Sequence, residues 1–151
     1  MKKAKKEESV IEIIAKQLLK KRFKKPVKKP TKKRRKKTKF KKGFYKGVLC
    51  DSSWELAYLL FCEDFGIVVK RNTQLFPYTY RNRKHYYLPD YVVIENEEYI
   101  EIKGMETMKW KAKLEQFPFR LTVLSTEKMK PILDYVIKKH GKDFVRLYDK
   151  H

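Results

Sequence analysis

Tyr86–Gly104 reads YYLPDYVVIENEEYIEIKG, and the fold turns on how this stretch is read. Tyr91, Val92, Val93 and Ile94 are strand formers, Glu95-Asn96-Glu97-Glu98 is a polar turn, and Tyr99, Ile100 and Ile102 resume the strand. The two apolar runs therefore predict a β-hairpin. Residues two apart in a strand point the same way, so Glu101 and Lys103 share a face. A turn closing near Asn96 sets Asp90 on the first strand beside Glu101 on the second. Two carboxylates and an ammonium then meet at the open end of the hairpin. Hard cations such as magnesium take oxygen ligands of this kind, usually one or two carboxylates with water and phosphate in the remaining positions.

The rest of the chain divides by charge. Of a formal net charge of +21 over 151 residues, residues 1–47 carry +19 (22 Lys and Arg, 3 Glu) and residues 48–151 only +2 (17 basic, 15 acidic). That predicts one ordinary domain behind a polycationic extension, and a polyanionic partner, nucleic acid before anionic membrane. Cys50 and Cys62, with His85, His140 and His151 scattered, lack the close spacing of a structural zinc site. Both cysteines read as packing residues. No signal peptide and no run of 18 apolar residues is present, so the expectation is a cytoplasmic, non-secreted protein with reduced thiols and no membrane partner.

Along the chain, residues 8–24 have helical spacing, with Ile11, Ile14, Ala15 and Leu18 in one stripe and Ser9 as N-cap three positions before Glu12. This basic amphipathic helix has three available partners: the domain itself, a second subunit, or a lipid surface. The domain is the expected one. Residues 25–42, KPVKKPTKKRRKKTKFKK, carry two prolines among like charges and predict a disordered linker. On DNA its Lys32, Lys33, Arg34, Arg35, Lys36, Lys37, Lys39, Lys41 and Lys42 would neutralise phosphates and release counterions.

Residues 43–52 predict a turn and a short extended segment, after which Asp51, Ser52 or Ser53 caps a helix running to about Phe65. Trp54, Ala57, Tyr58, Phe61 and Phe65 form its apolar face, and Gly66 stops it. Glu55 lies off that face near the N-terminus, where a glutamate suits the helix dipole. Residues 67–80 predict one or two strands, with Arg71 and Gln74 placed to face phosphates. Arg81-Asn82-Arg83-Lys84 reads either as a solvated hairpin tip or as a DNA-contacting loop supplying Arg81, Arg83 and Lys84. Beyond the central hairpin come a helix at 106–117 (Trp110, Leu114, Phe117), an internal strand at 119–124, and a helix at 126–140 with Met129, Ile132, Leu133, Val136 and Ile137 as its stripe. Gly141 ends that helix, and a last extended piece spans 143–148. This order predicts an α/β fold, a mixed β-sheet flanked by helices and covered on both faces.

Pro89-Asp90 followed by Glu101-Ile102-Lys103 resembles the PD-(D/E)xK nuclease motif. Glu55 stands in an upstream helix where many of these nucleases carry an extra acidic ligand, and Gly104 follows the lysine as it commonly does in the family. Gly43-Phe44-Tyr45-Lys46-Gly47, with Cys50 to Ala57, resembles the opening of small endonucleases of phages and mobile elements, some of them homing-type. The likeness covers about residues 43–150. The spacing from Glu55 to Lys103 and the chain size are also similar to phage resolvases of endonuclease I type. The resemblance implies a restriction-endonuclease-like core at 43–151 behind the extension at 1–42. It further implies a metal-dependent DNA endonuclease using Mg2+, with Mn2+ able to substitute. Asp90, Glu101 and the carbonyl of Ile102 would hold the metal, and Glu55 a second ion or a metal-bound water. Lys103 would orient or deprotonate the attacking water and stabilise charge. Alternatives are a Holliday-junction-resolving endonuclease and a non-catalytic DNA-binding protein with a nuclease-like fold. One site per chain cutting two strands implies a homodimer, and no small-molecule cofactor is expected.

Overall fold

The computed structural model describes residues 42–102 and 107–150, together with Ile11, Ile14 and Lys16. Lys103, Gly104 and the basic stretch 25–41 lie outside the described residues.

Two strands open the domain, β1 (Gly43–Tyr45) and β2 (Val48–Cys50), paired antiparallel. The sequence pattern predicts a single extended segment here. Lys46 and Gly47, at φ 48° and 76°, instead close a two-residue hairpin whose twist matches the strands. Helix α1 (Ser53–Asp64) follows, capped by the Ser52 hydroxyl, which accepts from the Glu55 N–H. Its predicted apolar face is too narrow: every residue from Glu55 to Cys62 is buried. Such a helix sits inside the core, and each of Leu56, Leu60 and Phe61 stabilises by about 1.5–3 kcal/mol through burial.

The central sheet has four strands in the order β3-β6-β7-β8: β3 (Val69–Arg71), β6 (Tyr91–Val93), β7 (Glu98–Ile102) and β8 (Leu121–Leu124). β3, β6 and β7 are antiparallel neighbours, whereas β8 runs parallel to β7. A parallel neighbour needs a crossover, and α2 (Met108–Gln116) lies between β7 and β8 in sequence. Between β3 and β6 a separate two-stranded ribbon forms from β4 (Phe76–Tyr80) and β5 (Arg83–Tyr87). Helix α3 (Thr126–His140) then packs against α1, ends at Gly141 (φ 93°), and leads to a 3-10 turn, Phe144–Leu147.

One face of the sheet carries the main core. Tyr91, Val93, Ile100 and Leu124 meet α1 and α3 there, around Phe61, Met129, Ile132 and Val136. Ile11 is also buried in this core and Ile14 packs against it, so this part of the predicted N-terminal stripe docks on the domain. The other face bears a smaller cluster of Tyr78, Tyr87 and Trp110, with Phe117, Leu121 and Val123 packed around it. The ribbon and α2 thus cover the face that α1 and α3 leave open, giving a mixed α/β architecture of three layers.

Several expectations are corrected. β8 is the edge of the described sheet rather than an internal strand. Residues 144–147 form a 3-10 turn rather than an extended piece. Arg83 and Lys84 belong to β5, because the turn is tightened to Arg81-Asn82, both at positive φ. The central turn is shifted by one residue, so that Glu98 begins β7 and is buried against the Thr122 hydroxyl and the Arg120 guanidinium. A glutamate in a polar run looks like a turn residue; only its cross-strand partners show otherwise.

Candidate active site

The site is built at one end of the sheet, where the N-terminus of α1, the end of β3 and the open end of the β6–β7 hairpin converge. Tyr91 pairs with Ile100. Asp90, a bend residue one step beyond that pair, precedes β6, and Glu101 follows Ile100 on β7, so both stand at the open end of the hairpin. Alternation sends Tyr91 and Ile100 into the main core, so Glu101 faces the other way, where its Oε2 accepts from the Tyr87 hydroxyl on β5 at 3.0 Å. Asp90 Oδ2 accepts from the Ile102 N–H at 2.8 Å, so Asp90, Glu101 and Ile102 form one contiguous group.

Glu55 approaches from α1 through a different set of bonds. Ser52 and Glu55 form the S-x-x-E pattern of a capping box, here with the glutamate carboxylate reaching the Asp51 N–H at 3.0 Å. The same Oε2 accepts from Arg71 Nη1 at 2.5 Å and from the Tyr91 hydroxyl at 3.2 Å. Arg71 Nη2 bonds Asp51 Oδ2 at 2.9 Å and lies 4.0 Å from Asp90 Oδ1. Arg71 therefore stands among three carboxylates, Asp51, Glu55 and Asp90, with its guanidinium over the Tyr91 ring. Burial works against its charge, yet Glu55 and the hydroxyl of Tyr91 outweigh burial and raise its pKa.

Burial also dominates at Asp90. It pushes the carboxyl up to about 6; the Ile102 N–H pulls it down, Glu55 and Asp51 push it further up, and Arg71 opposes them. The Tyr87 hydroxyl is raised as well, by burial first and then by the Glu101 and Asp90 charges. Tyr87 and Asp90 therefore feel one another although they lie on different strands. The Cys50 and Cys62 thiols are pushed up by burial to about 11 and about 12, so neither ionises near neutral pH.

Of the positions singled out by sequence, Asp90, Glu101 and Ile102 come together, and Glu55 joins them through Arg71. Arg71 does not stand open towards solvent as expected but is half-buried in this network. Lys42 pairs with Asp51 at 3.0 Å on the surface. Arg81, Arg83 and Lys84 lie together at the exposed end of the ribbon. Lys103 and Lys32 to Lys41 lie outside the described residues. Two participants escaped the sequence reading: Asp51, seen only as a possible cap, and Tyr87, on a strand that no apolar alternation announced.

Among the described residues no group of three or more His, Cys, Asp and Glu could hold a metal ion. The donor set at Asp90 and Glu101 nevertheless has the character a hard cation takes: oxygen only, two carboxylates, and one of them disfavoured in its charged form by burial. Among the described residues no helix is long and apolar enough to cross a membrane.

The chain matches no protein-family model, no curated protein and no solved structure.

Proposed function

We propose that the chain is a metal-dependent DNA endonuclease with a restriction-endonuclease-like core, hydrolysing phosphodiester bonds at the Asp90–Glu101 site. The observation that carries this is Asp90 bonded to the Ile102 N–H, next to Glu101, at the open end of the β6–β7 hairpin. Two carboxylates beside a strand-end backbone group suit Mg2+, or Mn2+ in its place. Such an ion supplies charge neutralisation at the phosphate oxygens and a water of lowered pKa.

The chain's own residues have the remaining tasks. Asp90 is held in orientation by the Ile102 N–H, and Glu101 by the Tyr87 hydroxyl. Glu55 and Asp51 anchor Arg71, whose partly exposed guanidinium sits 4.0 Å from Asp90 and would add positive charge beside a bound phosphate. Lys103, assigned from its sequence position alone, would orient the attacking water and stabilise charge on the transition state. The basic segment 25–42 would hold the polyanion in a sequence-independent way.

A second reading has its own support. Arg71 already pairs with Asp51 and Glu55 and lies 4.0 Å from Asp90, occupying the side of the centre where a cation would compete, and no three-carboxylate metal group exists among the described residues. That favours a DNA-binding protein in which the nuclease-like centre is structural. Purified protein incubated with supercoiled plasmid and with a labelled four-way junction, in magnesium or in EDTA, separates the two. Magnesium-dependent cutting abolished in Asp90→Ala and Lys103→Ala supports the endonuclease. Preference for the junction identifies a resolvase, and a discrete plasmid cut a homing-type enzyme. Tight binding of both DNAs without cutting in magnesium or manganese supports the second reading.

A further inference from the structure

The β4–β5 ribbon stands apart from the central sheet and ends in three cations. Arg81, Arg83 and Lys84 are exposed, and among the described residues none forms an ion pair with a carboxylate. Elsewhere in the domain Lys42, Lys46, Arg71, Arg120, Lys139 and Arg146 each do, while exposed lysines such as Lys130, Lys138 and Lys142 are spread over α3 and its end. Three uncompensated charges are thus gathered on one small element. Two of the three side chains rest on rings. Arg81 lies over the Tyr80 ring at 5.2 Å and Lys84 over the Tyr86 ring at 5.5 Å.

The backbone of the tip adds a second observation. Arg81 and Asn82 sit at φ 49° and 56°, the left-handed conformation of a type I′ turn. Asn is at home there, but at the first position such turns favour Asn, Asp or Gly, and arginine is strained.

The ribbon is also rigidly placed. One face, through Tyr78 and Tyr87, rests on Trp110 of α2. Gln116 closes the outer edge of β4: its side chain accepts from the Thr79 N–H at 2.8 Å and donates to the Thr79 carbonyl at 2.8 Å. The opposite face is open, with Pro77 paired to Tyr86 and Thr79 to Lys84, all exposed. A two-stranded ribbon of this form has the width that the major groove of duplex DNA admits.

We infer that the β4–β5 ribbon is a docking finger for duplex DNA, entering a groove with its open face while Arg81, Arg83 and Lys84 grip the flanking phosphates. Its root reaches the candidate site directly, since Tyr87 bonds Glu101. From Arg83 to Tyr87 is four strand steps, roughly 14 Å at about 3.4 Å each. At about 3.4 Å per nucleotide along one strand, the gripped phosphates lie about four steps from the bond presented to Asp90 and Glu101. That register rests on the endonuclease reading; the docking itself does not.

The test is binding in EDTA, so that no cutting intervenes. Full-length protein carrying Arg81→Asn, Arg83→Gln and Lys84→Gln is titrated into a labelled duplex across a salt series. A second triple, Lys130→Gln, Lys138→Gln and Lys142→Gln, removes the same charge from exposed positions on or next to α3, behind the other face of the sheet. The ribbon triple is expected to keep or raise its Tm, because Asn suits the turn. Its duplex affinity should fall ~10-fold or more and its salt slope become shallower by about 2–3, near 0.9 for each phosphate no longer neutralised. The α3 triple is expected to bind like wild type. Equal losses in the two triples, an unchanged ribbon triple, or a loss confined to single-stranded oligonucleotide would overturn the finger. Cleavage assays of the parent protein decide the nuclease separately, so either idea can fail alone.

Discussion

Asp90 is where stability and the proposed chemistry conflict. In the unfolded chain its carboxyl titrates near 3.8, and burial in the fold lifts it to about 6. The folded state therefore binds the proton more tightly. Below about pH 4 both states are protonated and the group is neutral to stability. Between about pH 4 and 6 stability falls as pH rises, by up to about 3 kcal/mol, and the cost stays constant above that. Asp90→Asn keeps an oxygen for the Ile102 N–H while removing the charge. Thermal melts from pH 4 to 8 should show the variant more stable than wild type at neutral pH, with the slope in that window flattened. Millimolar magnesium should raise the Tm of wild type at pH 7 and leave Asp90→Asn unmoved; equal shifts in both would place any cation elsewhere. Glu55 should behave in the opposite way. It is the buried partner of Arg71, and Glu55→Ala takes away that guanidinium's most buried partner, leaving Asp51 as its close carboxylate and the Tyr91 hydroxyl without this acceptor. A loss of about 2–4 kcal/mol is expected by chemical denaturation, somewhat less than for a fully buried pair because Arg71 is partly exposed.

At the scale of elements, legibility followed the range of the interaction. The helix at 126–140 and the register of the central hairpin could be read because periodicity and turn residues are local signals. The ribbon could be read only in part: the pattern predicts strands before residue 80 and a hairpin tip after it, but Phe76 to Tyr87 holds five aromatic residues and a histidine, and the second strand is fixed by Trp110 and Phe117, which receive its rings. The site divided the same way. That Asp90 and Glu101 fall at one end of the hairpin follows from local strand and turn signals, whereas the Arg71 network joins residues 51, 55, 71 and 90 and exists only after the sheet is assembled. Long-range assembly also explains the β1–β2 hairpin. Asp149 accepts from the N–H groups of Lys46 and Gly47, both at 2.9 Å, and its own N–H donates to the Phe44 carbonyl at 2.7 Å, so the C-terminal segment clasps the start of the domain. Gly43 lies under the Tyr148 ring, where an added Cβ would meet ring carbon at 2.6 Å. Gly43→Ala should therefore push the clasp apart and cost about 1–3 kcal/mol, read as a lower denaturation midpoint with an unchanged m-value.

For the whole molecule the question is why one chain joins a nearly neutral domain to a segment of charge +19. The two parts are not merely tethered. Ile11 is buried in the main core beside α1 and α3, so the N-terminal segment contributes to folding as well as charge. The two contributions sit on different residues and should separate. Ile11→Ala deletes buried apolar volume and is expected to destabilise by about 2–4 kcal/mol, with DNA affinity of the folded protein unchanged. Replacing Lys32, Lys33, Arg34, Arg35, Lys36 and Lys37 by glutamine touches none of the core residues. It should leave the melt unchanged while weakening duplex binding and flattening its salt dependence by up to about 5, if each cation meets a phosphate. Melting curves and salt titrations on the two variants form a cross-check. Should the glutamine variant lose stability, or Ile11→Ala lose salt-dependent affinity while still folded, the segment would be one cooperative unit, with its charge and its packing inseparable.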